Sequence, residues 1–476
     1  MPVSFGSDGY RGVIGHGMTA AHAVRILYGC VEWLRRHHPG CESRAIPIGY
    51  DTRFLSREFA LLALDVLEAR GQRCVIAGRA CPSPYLSFAT KQLEAPLGVQ
   101  FTASHNPWNY SGIKLKGSFG GSMLPEDVAE IEKFANAFDD ADLGDFRLGR
   151  QTAAPLEFNL EREYAAAIRQ AAGWDGDPGR ELAVDYLNGT AAGIYREILR
   201  QMFSPQNELR TGVDPLFGGD KPEPVEEKLN ELSRIVAFDG RDSLGFAFDG
   251  DGDRLAVMDE QGRFLRTHEI FCLLLEHVVR TRGVTGIVVT SVSFSGLVER
   301  VARDLQCTVL DVPVGYKNVS KAMLEYNAII GGEESGGTGF GHYLPERDAL
   351  LMAVMLLHER VLRDKPVSEL VDELYEKHGR PVYIRRDYAL DADYDRDAYR
   401  DAIRNLSRLE SLAGDEVESL NHRDGMKLRT AEGWALARIS GTEPLLRLYC
   451  EAGSEERAEA YADELVNALD FSELRG

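Results

Sequence analysis

Several features of membrane and secreted proteins are missing from this chain of 476 residues. It has no run of 18 apolar residues, and no basic segment followed by an apolar one stands near Met1. The seven cysteines are scattered and form no C-x-x-C pair, which favours reduced thiols over a disulfide framework. We therefore expect a cytoplasmic protein that neither spans a membrane nor is secreted.

Positive charge is also scarce. The chain has 54 lysines and arginines against 75 aspartates and glutamates, which gives a net charge of −21. A surface of this sign repels nucleic acids and anionic membranes, so neither is an expected partner. The deficit is uneven, because residues 1–120 carry 13 basic and only 8 acidic side chains. A small anionic ligand is therefore compatible with the composition.

The sequence does contain a repeated α/β pattern. A short apolar strand, a small polar loop and an amphipathic helix follow one another from Ile46, from Leu182 and from Gly286. The segment after about residue 385 instead mixes an acidic helical stretch, short strands and a terminal helix. We expect three related α/β domains and a separate α+β domain, with bounds at 1–150, 151–258, 259–378 and 379–476.

The first segment that could carry chemistry is Thr102–Pro107, which follows an apolar strand. Polar residues at a strand end lie where open α/β folds bind ligands. Ser104, with His105 beside it and Lys114 ten residues on, could be a nucleophile or a phosphate acceptor activated by nearby cations. An ordinary turn is the alternative, since Ser, Asn and Pro favour turns on conformational grounds.

A second segment places Asp249, Asp251 and Asp253 two residues apart, separated by glycines and preceded by an apolar strand. Such carboxylates can converge on Mg²⁺ or Ca²⁺, and they repel one another without a cation or a basic partner. An EF-hand loop needs glycine where Arg254 stands and a helix where the strand is. An aspartyl phosphatase is closer, because a carboxylate at a strand end can form an aspartyl phosphate.

Two further loops suggest a ligand rich in hydroxyls and phosphate. The glycine-rich loop Gly331–Gly337 displays Glu333 and Ser335, which suit sugar hydroxyls, although a plain turn explains it as well. The segment from Arg438 to Arg447 contains two arginines, hydroxyls and small residues. Arginine forks combined with hydroxyls and backbone amides make a phosphate site, whereas an exposed loop with structural arginines is the alternative.

Taken together, these segments resemble the α-D-phosphohexomutase family. The motifs that carry the resemblance occur in the family's order: FGSDGYRG (5–12), TASHNP (102–107), DGDGDR (249–254), GEESGG (332–337) and RISGTEPLLR (438–447). They span nearly the whole chain. The resemblance implies three topologically similar mixed α/β domains followed by a smaller α+β C-terminal domain around a central cleft.

The resemblance also implies an activity, the interconversion of hexose 1-phosphate and hexose 6-phosphate. Ser104 would be a phosphoserine that passes its phosphoryl group to a phosphosugar, with a hexose 1,6-bisphosphate as intermediate and activator. Mg²⁺ would be held by the phosphoserine, Asp249, Asp251 and Asp253. The other implied roles are Arg11 and Arg254 beside the phosphoserine, His105 and Lys114 in proton transfer, Gly315, Tyr316, Glu333 and Ser335 at the sugar, and Arg438, Ser440, Gly441, Thr442 and Arg447 at the nonreacting phosphate.

The loop at 332–337 departs from several family patterns. Enzymes acting on both glucose and mannose phosphates often have Met at the place of Glu334 and His at the place of Gly337, and glucosamine enzymes often have Gln at the former. GEESGG is closer to phosphoglucomutase-like members, so glucose phosphate is the expected substrate and His342 is the candidate replacement base. The alternatives are a dual phosphoglucomutase/phosphomannomutase, a phosphoglucosamine mutase, a Mg-dependent phosphatase and a noncatalytic sugar-phosphate sensor. The sequence leaves the oligomeric state open.

Overall fold

The computed structural model describes residues 2–6, 8–139, 143–149, 154–174, 182–203, 205–239, 243–391, 394–441 and 444–469. The described helices include none that is both long and apolar enough to cross a membrane. The described strands form three mixed sheets, a five-stranded antiparallel sheet and a two-stranded hairpin.

The first sheet has six strands in the order β1-β5-β4-β2-β3-β6. Its strands are β1 (Tyr10–Val13), β2 (Ile46–Tyr50), β3 (Cys74–Ala77), β4 (Leu97–Phe101), β5 (Tyr110–Gly117) and β6 (Glu157–Phe158). Its helices are α1 (Ala20–His37), α2 (Ser56–Ala69), α3 (Ser83–Gln92) and α4 (Pro125–Ala135). The central strands β2 and β4 are buried along their whole length, as expected of parallel strands covered on both faces.

The second sheet has four strands in the order β10-β9-β7-β8. They are β7 (Leu182–Asp185), β8 (Asn207–Leu209), β9 (Leu244–Phe248) and β10 (Leu255–Met258). The helices in this part of the chain are α5 (Glu161–Ala172), α6 (Ile194–Met202) and α7 (Asn230–Asp239). The acidic segment at 249–254 is the connection between β9 and its antiparallel partner β10.

The third sheet has four strands in the order β12-β11-β13-β14. They are β11 (Ile287–Ser291), β12 (Thr308–Val312), β13 (Ile330–Gly332) and β14 (Thr338–Phe340). The helices are α8 (Thr267–Arg282), α9 (Leu297–Asp304), α10 (Tyr316–Glu325), α11 (Ala349–Arg363) and α12 (Val367–His378).

The three mixed sheets share one topology. In each, four successive strands lie in the spatial order 2-1-3-4, the first three are parallel, and the fourth is antiparallel to the third. The connection between the third and fourth strand carries Ser104 in the first sheet, the aspartates in the second and Glu333 in the third. The expected three similar α/β domains are therefore confirmed.

The C-terminal part is a five-stranded antiparallel sheet in the order β15-β21-β20-β19-β18. Its strands are β15 (Val382–Ala389), β18 (Ser419–Asn421), β19 (Met426–Arg429), β20 (Gly433–Ile439) and β21 (Leu445–Ala452), with a hairpin of β16 (Ser411–Leu412) and β17 (Asp415–Glu416). The helices α13 (Arg396–Asn405) and α14 (Glu455–Leu469) pack on one face and enclose a core of their own. This agrees with the expected α+β domain.

A buried ion pair joins the first domain to the third. Lys116 on β5 donates to Glu346 at 2.6 Å, Ser122 donates to the same carboxylate at 3.0 Å, and both charged side chains are about 1% exposed. Removing one charge of a buried pair leaves the other uncompensated.

We therefore expect Glu346→Gln to lower the free energy of unfolding by about 3–5 kcal/mol, because the Lys116 ammonium stays buried. Urea unfolding of the purified variants measures the change. Glu325→Gln is the control, since its pair with Lys321 is solvent-exposed and should contribute less than about 1 kcal/mol. Equal losses in the two variants would contradict the prediction.

Candidate active site

Ser104 lies in the loop that follows β4 and points at the acidic segment of the second domain. Its backbone φ is 51°, a left-handed conformation that is costly for a residue other than glycine and is often found at functional sites. The side chain is buried, and Oγ donates a hydrogen bond to Oδ2 of Asp249 at 2.9 Å. The backbone N–H donates to Oγ1 of Thr102 at 2.9 Å, which fixes the turn.

The side chain of Arg53 stabilises the loop that contains Ser104. Its guanidinium is buried, pairs with Asp51 at 3.1 Å and donates to four carbonyl oxygens of the loop at 2.6–3.1 Å. Those carbonyls belong to Ser104, Asn106, Pro107 and Tyr110. The unusual backbone of Ser104 is therefore stabilised by one side chain from the loop after β2.

The three aspartates converge as the sequence predicts. Asp249, Asp251 and Asp253 are buried, and one carboxylate oxygen from each lies within 4.8 Å of the others. Gly252, at a φ of 70°, makes the tight turn between them. Burial raises the pKa of Asp249 well above its ordinary value, and the neighbouring carboxylates of Asp253 and Asp251 raise it further. The cluster is therefore short of positive charge.

Lys114 supplies part of that charge. Its Nζ lies 2.8 Å from the carboxylates of Asp251, Asp253 and Asp8. Burial opposes the ionised form of Asp251, yet the ammonium of Lys114 outweighs it and lowers the pKa of that carboxyl. Arg347 adds a second cation, with Nη2 at 2.6 Å from Asp8 and 2.7 Å from Asp253. One network therefore joins the three α/β domains.

The remaining residues predicted around Ser104 lie beside it. His105 Nδ1 is 3.4 Å from the Ser104 hydroxyl, and burial together with Arg254 and Arg11 holds its pKa well below the ordinary value. The imidazole is therefore neutral near pH 7. Arg11 donates to the Asn106 side chain at 2.7 Å, and Arg254 Nε lies 4.0 Å from Asp253.

Glu333 lies in the turn between β13 and β14, where it is buried and accepts a hydrogen bond from the Gly315 backbone at 2.7 Å. Burial raises the pKa of Glu333 to about 7. Gly315 has a φ of 121°, which favours glycine, and it precedes the buried Tyr316. Ser335 is exposed at the tip of the turn. These four residues therefore lie on two adjacent loops of the third domain.

Gly337 and Arg347 are sterically coupled. A Cβ atom on Gly337 would lie 2.0 Å from Cδ of Arg347, closer than any two such atoms can approach. The Arg347 guanidinium stands 4.8 Å above the Tyr316 ring and 3.8 Å from Glu333. The side chain of Arg347 therefore fills the space that a side chain at the end of this loop would need.

The residues expected to grip phosphate lie on the C-terminal sheet. Arg438 and Arg447 are cross-strand neighbours on β20 and β21, and their Nε atoms lie 2.9 Å from Asp424 and 3.5 Å from Asp387. Ser440 and Gly441 follow in the turn, while Thr442 lies outside the described residues. Asp424 also accepts a hydrogen bond from Val314 of the third domain at 3.0 Å. The turn is thereby connected to the loop of the third domain that contains Gly315.

A third arginine shares this face of the sheet. Arg385 on β15 is bound through Nε and Nη2 to Asp387, at 2.7 and 2.6 Å, and is two residues from it along the strand. Because alternate residues of a strand point to the same side, Arg385, Asp387 and Arg447 lie together. Arg386 points the other way and pairs with Glu459 and Asp463 of α14.

The structure does not bring His342 to this cluster. Its Nε2 donates to the Ala171 carbonyl at the end of α5, at 3.0 Å. Arg282 donates to the same carbonyl at 2.6 Å, so basic side chains gather at the negative end of that helix. The position of His342 is that of a helix cap between the second and third domains, and it corrects the expectation of a replacement base.

Sequence reasoning missed Asp8, Arg53, Arg347 and Arg385. Two of them carried a usable signal: Arg53 follows a buried strand as Ser104 does, and Arg385 alternates with Asp387 on a strand. Asp8 lies inside the motif FGSDGYRG, but the sequence did not indicate that it meets Arg347, because that contact joins positions 339 residues apart.

Comparisons with known proteins agree with this arrangement. Models of the phosphoglucomutase/phosphomannomutase family match residues 2–142 as alpha/beta/alpha domain I, 162–262 as domain II, 266–378 as domain III and 401–468 as the C-terminal domain. These matches cover most of the chain in the order in which the sheets occur.

Individual relatives match over nearly their whole length. The chain is 30% identical to the phosphoglucomutase/phosphomannomutase of Thermococcus kodakarensis, over 98% of each chain. It is 31% identical to the probable phosphoglucosamine mutase of Methanopyrus kandleri, over 98% of this chain and 97% of the relative. The crystal structure of a putative phosphomannomutase from Thermus thermophilus superposes with a TM-score of 0.81 at 29% identity, over 98% of this chain and 99% of the other.

Proposed function

Because the chain belongs to the phosphoglucomutase/phosphomannomutase family of phosphohexomutases, we propose that it interconverts a hexose 1-phosphate and a hexose 6-phosphate through a phosphorylated Ser104. The observation that carries this proposal is the Ser104 hydroxyl, hydrogen-bonded to one carboxylate of a buried aspartate triad. The proposal includes four domains, with bounds at 1–150, 151–258, 259–378 and 379–476. It also includes a cytoplasmic location, which the seven unbridged thiols support.

In the first half of the reaction, the phosphoserine oxygen–phosphorus bond breaks and the free sugar hydroxyl takes the phosphoryl group. The hydroxyl loses its proton to the neutral His105, and the same ring, whose Nδ1 lies 3.4 Å from Ser104 Oγ, returns a proton to the serine oxygen that leaves phosphorus. The bisphosphate then turns over, and its other phosphoryl group returns to Ser104. Lys114, Arg11 and Arg254 stabilise the negative charge that moves between the two oxygens.

The aspartate cluster fits a magnesium ion. Its three buried carboxylates offer oxygen ligands within 4.8 Å of one another, and their mutual repulsion raises the pKa of Asp249. Asp249, Asp251, Asp253 and the Ser104 oxygen would hold Mg²⁺, which when bound supplies positive charge to the transferring phosphoryl group. Lys114 pairs with Asp251 and Asp253, so its ammonium offsets part of the repulsion among the carboxylates.

The other loops hold the substrate in both orientations. Glu333, Ser335 and Gly315 face sugar hydroxyls, and the ability of Glu333 to exchange a proton near pH 7 suits a hydroxyl partner. Tyr316 is fully buried against Arg347, so it supports this loop and does not itself reach the sugar, which corrects the expectation for that residue. The nonreacting phosphate is gripped by a set that extends the sequence prediction with Arg385: Arg385, Arg438, Ser440, Gly441, Thr442 and Arg447. A hexose 1,6-bisphosphate that escapes after the first transfer rephosphorylates Ser104 on return and so acts as activator.

Glucose phosphate is the substrate we propose, from the GEESGG sequence of the sugar loop. Glucosamine phosphate is the second candidate, because the Methanopyrus relative is named a probable phosphoglucosamine mutase. Measuring kcat/KM for glucose, mannose and glucosamine 1-phosphates with Mg²⁺ and catalytic bisphosphate separates them. A preference for glucosamine would reject the glucose assignment, and no turnover of any of the three would reject the mutase.

Arg385→Ala is expected to raise KM for the hexose phosphate by roughly tenfold, because one charge-assisted hydrogen bond to phosphate is lost. kcat should change less, since this phosphate does not react. Arg386→Ala is the matched control: it removes the neighbouring guanidinium from the opposite face of β15 and should leave KM unchanged. Steady-state kinetics on both variants tests the assignment, and equal KM values would remove Arg385 from the phosphate site.

A further inference from the structure

A polar cavity of about 400 Å³ lies between the third and fourth domains. It is bounded by the first turns of α9, by the connection His378–Pro381 and by the ends of β19, β20 and β21. None of its lining residues belongs to the candidate active site. It therefore needs an explanation separate from the mutase reaction.

Three polar side chains of this cavity have buried atoms without a hydrogen-bond partner in the described part of the chain. They are Nε1 of Trp434, Oε2 of Glu451 and Nε of Arg300. Trp434 is 2% exposed and Glu451 is 3% exposed. A buried polar atom without a partner destabilises the fold, so a group of them at one place points to a polar ligand.

These side chains converge on one point next to Gly296. An atom placed at the Cβ position of Gly296 would lie 3.0 Å from Oε1 of Glu451, 3.7 Å from Nη1 of Arg300 and 3.8 Å from Nε1 of Trp434. The absence of a side chain at Gly296 keeps this point accessible from the cavity. Oε1 of Glu451 already accepts a hydrogen bond from the Gly296 backbone N–H at 2.9 Å, and the two donors, Arg300 and Trp434, are presented to the same small volume.

The charge of the lining favours an anion. Glu299 and Arg429 neutralise each other as an ion pair. The other charged residues of the lining are Arg300, Arg303 and Arg380, against Glu432 and Glu451. Oε2 of Glu451 has no hydrogen-bond partner in the described part of the chain, so this carboxylate favours a ligand that can donate a hydrogen bond. A hydroxyl group provides such a donor without adding positive charge.

We propose that this cavity binds a small hydroxylated anion, such as a phosphorylated polyol. Its acidic group accepts from Arg300 and the Trp434 indole, and a hydroxyl donates to Glu451. The bound molecule touches α9 of the third domain and β20 and β21 of the fourth, beside the connection that joins them. Its binding holds these two domains in the arrangement described above.

The indole N–H signals of the four tryptophans provide a local test. Full-length protein labelled with ¹⁵N-tryptophan is titrated with sn-glycerol 3-phosphate and separately with inorganic phosphate, with Trp434→Phe used to assign the signal. We expect a saturable shift of the Trp434 signal and at least fivefold tighter binding of glycerol phosphate, because only it carries hydroxyls. Arg300→Gln should weaken binding about tenfold or more and leave mutase activity unchanged.

Three further variants serve as controls for this titration. Arg404→Gln removes an exposed arginine of α13 and should leave the titration unchanged, whereas Arg303→Gln, at the cavity wall, should weaken it. Arg438→Ala should preserve the shift, because it alters only the substrate-phosphate site. The proposal is overturned if Trp434 does not respond, if Arg300→Gln responds like the unaltered chain, if Arg438→Ala abolishes the shift, or if inorganic phosphate binds as tightly.

Discussion

Ser104→Ala is expected to lower mutase turnover by about 10⁴-fold or more, because it removes the hydroxyl oxygen that carries the phosphoryl group in the proposed mechanism. The change removes one buried hydroxyl that donates to Asp249 and leaves the braced loop intact, since Arg53 binds backbone carbonyls. Binding of the hexose phosphate should be retained, because the sugar loop and the arginines of the C-terminal sheet are untouched. Turnover and substrate affinity therefore separate in this variant.

Steady-state rates and phosphopeptide mass spectrometry measure the two sides of this prediction. The unaltered chain should carry phosphate on residue 104 after incubation with hexose 1,6-bisphosphate, and the variant should carry none. Ser87→Ala is the matched control, since Ser87 is also fully buried but lies on α3. Near-normal turnover of Ser104→Ala would sink the phosphoserine mechanism, and an alkali-labile aspartyl phosphate would favour a phosphatase that uses the aspartate triad.

Asp249→Asn is expected to stabilise the protein in the absence of Mg²⁺ while nearly abolishing its activity. Asparagine keeps the shape of the side chain and relieves the repulsion from Asp251 and Asp253. The gain should be roughly 1 kcal/mol or more, because each unit by which a pKa is raised on folding costs the ionised form about 1.4 kcal/mol. Losing an ionised magnesium ligand should lower turnover by about 10³-fold.

The sign of the pH dependence follows from the raised pKa. When the pKa of a carboxyl is higher in the folded state, the protein loses stability as pH rises from the unfolded-state pKa through the folded-state pKa. Chelator-treated protein should therefore lose more stability than Asp249→Asn over this rise in pH, and Mg²⁺ should restore stability only to the unaltered chain. Urea unfolding with EDTA and with Mg²⁺ measures both effects.

Asp259→Asn is the contrasting control for that experiment. Asp259 is also buried, but Arg263 and the backbone N–H groups of Gln261 and Arg263 satisfy its charge. Its replacement should destabilise the protein with or without Mg²⁺. A loss of stability in Asp249→Asn of the same size would show that the triad is not strained without a cation.

Local sequence patterns predicted the architecture because the same strand, loop and helix unit repeats along the chain. The strand, loop and helix that begin at Ile46, Leu182 and Gly286 each form as expected, and the C-terminal helix begins at Glu455. The acidic loop was equally readable, because three carboxylates two residues apart on a glycine-containing turn have few other stable arrangements. In these places neighbouring residues determine the geometry.

Contacts between distant residues could not be read in the same way. Asp8 and Arg347 meet Asp253 only when three domains pack together, and nothing near either position in sequence indicates it. His342 was assigned by its closeness to Gly337 along the chain, yet the turn after β14 carries it to α5. Proximity in sequence failed there because β14 (Thr338–Phe340) runs between the two residues and places His342 at its far end.

The close approach of Gly337 and Arg347 makes these two positions mutationally dependent. A histidine placed at 337, to imitate relatives that end the loop with one, would meet Cδ of Arg347 at 2.0 Å from its first side-chain carbon. Shortening Arg347 alone would release Asp8, Asp253 and the Tyr316 ring from their common cation. Replacing the sequence of this loop with that of another family member therefore requires simultaneous substitutions at 337 and 347. Either substitution made alone would damage the protein.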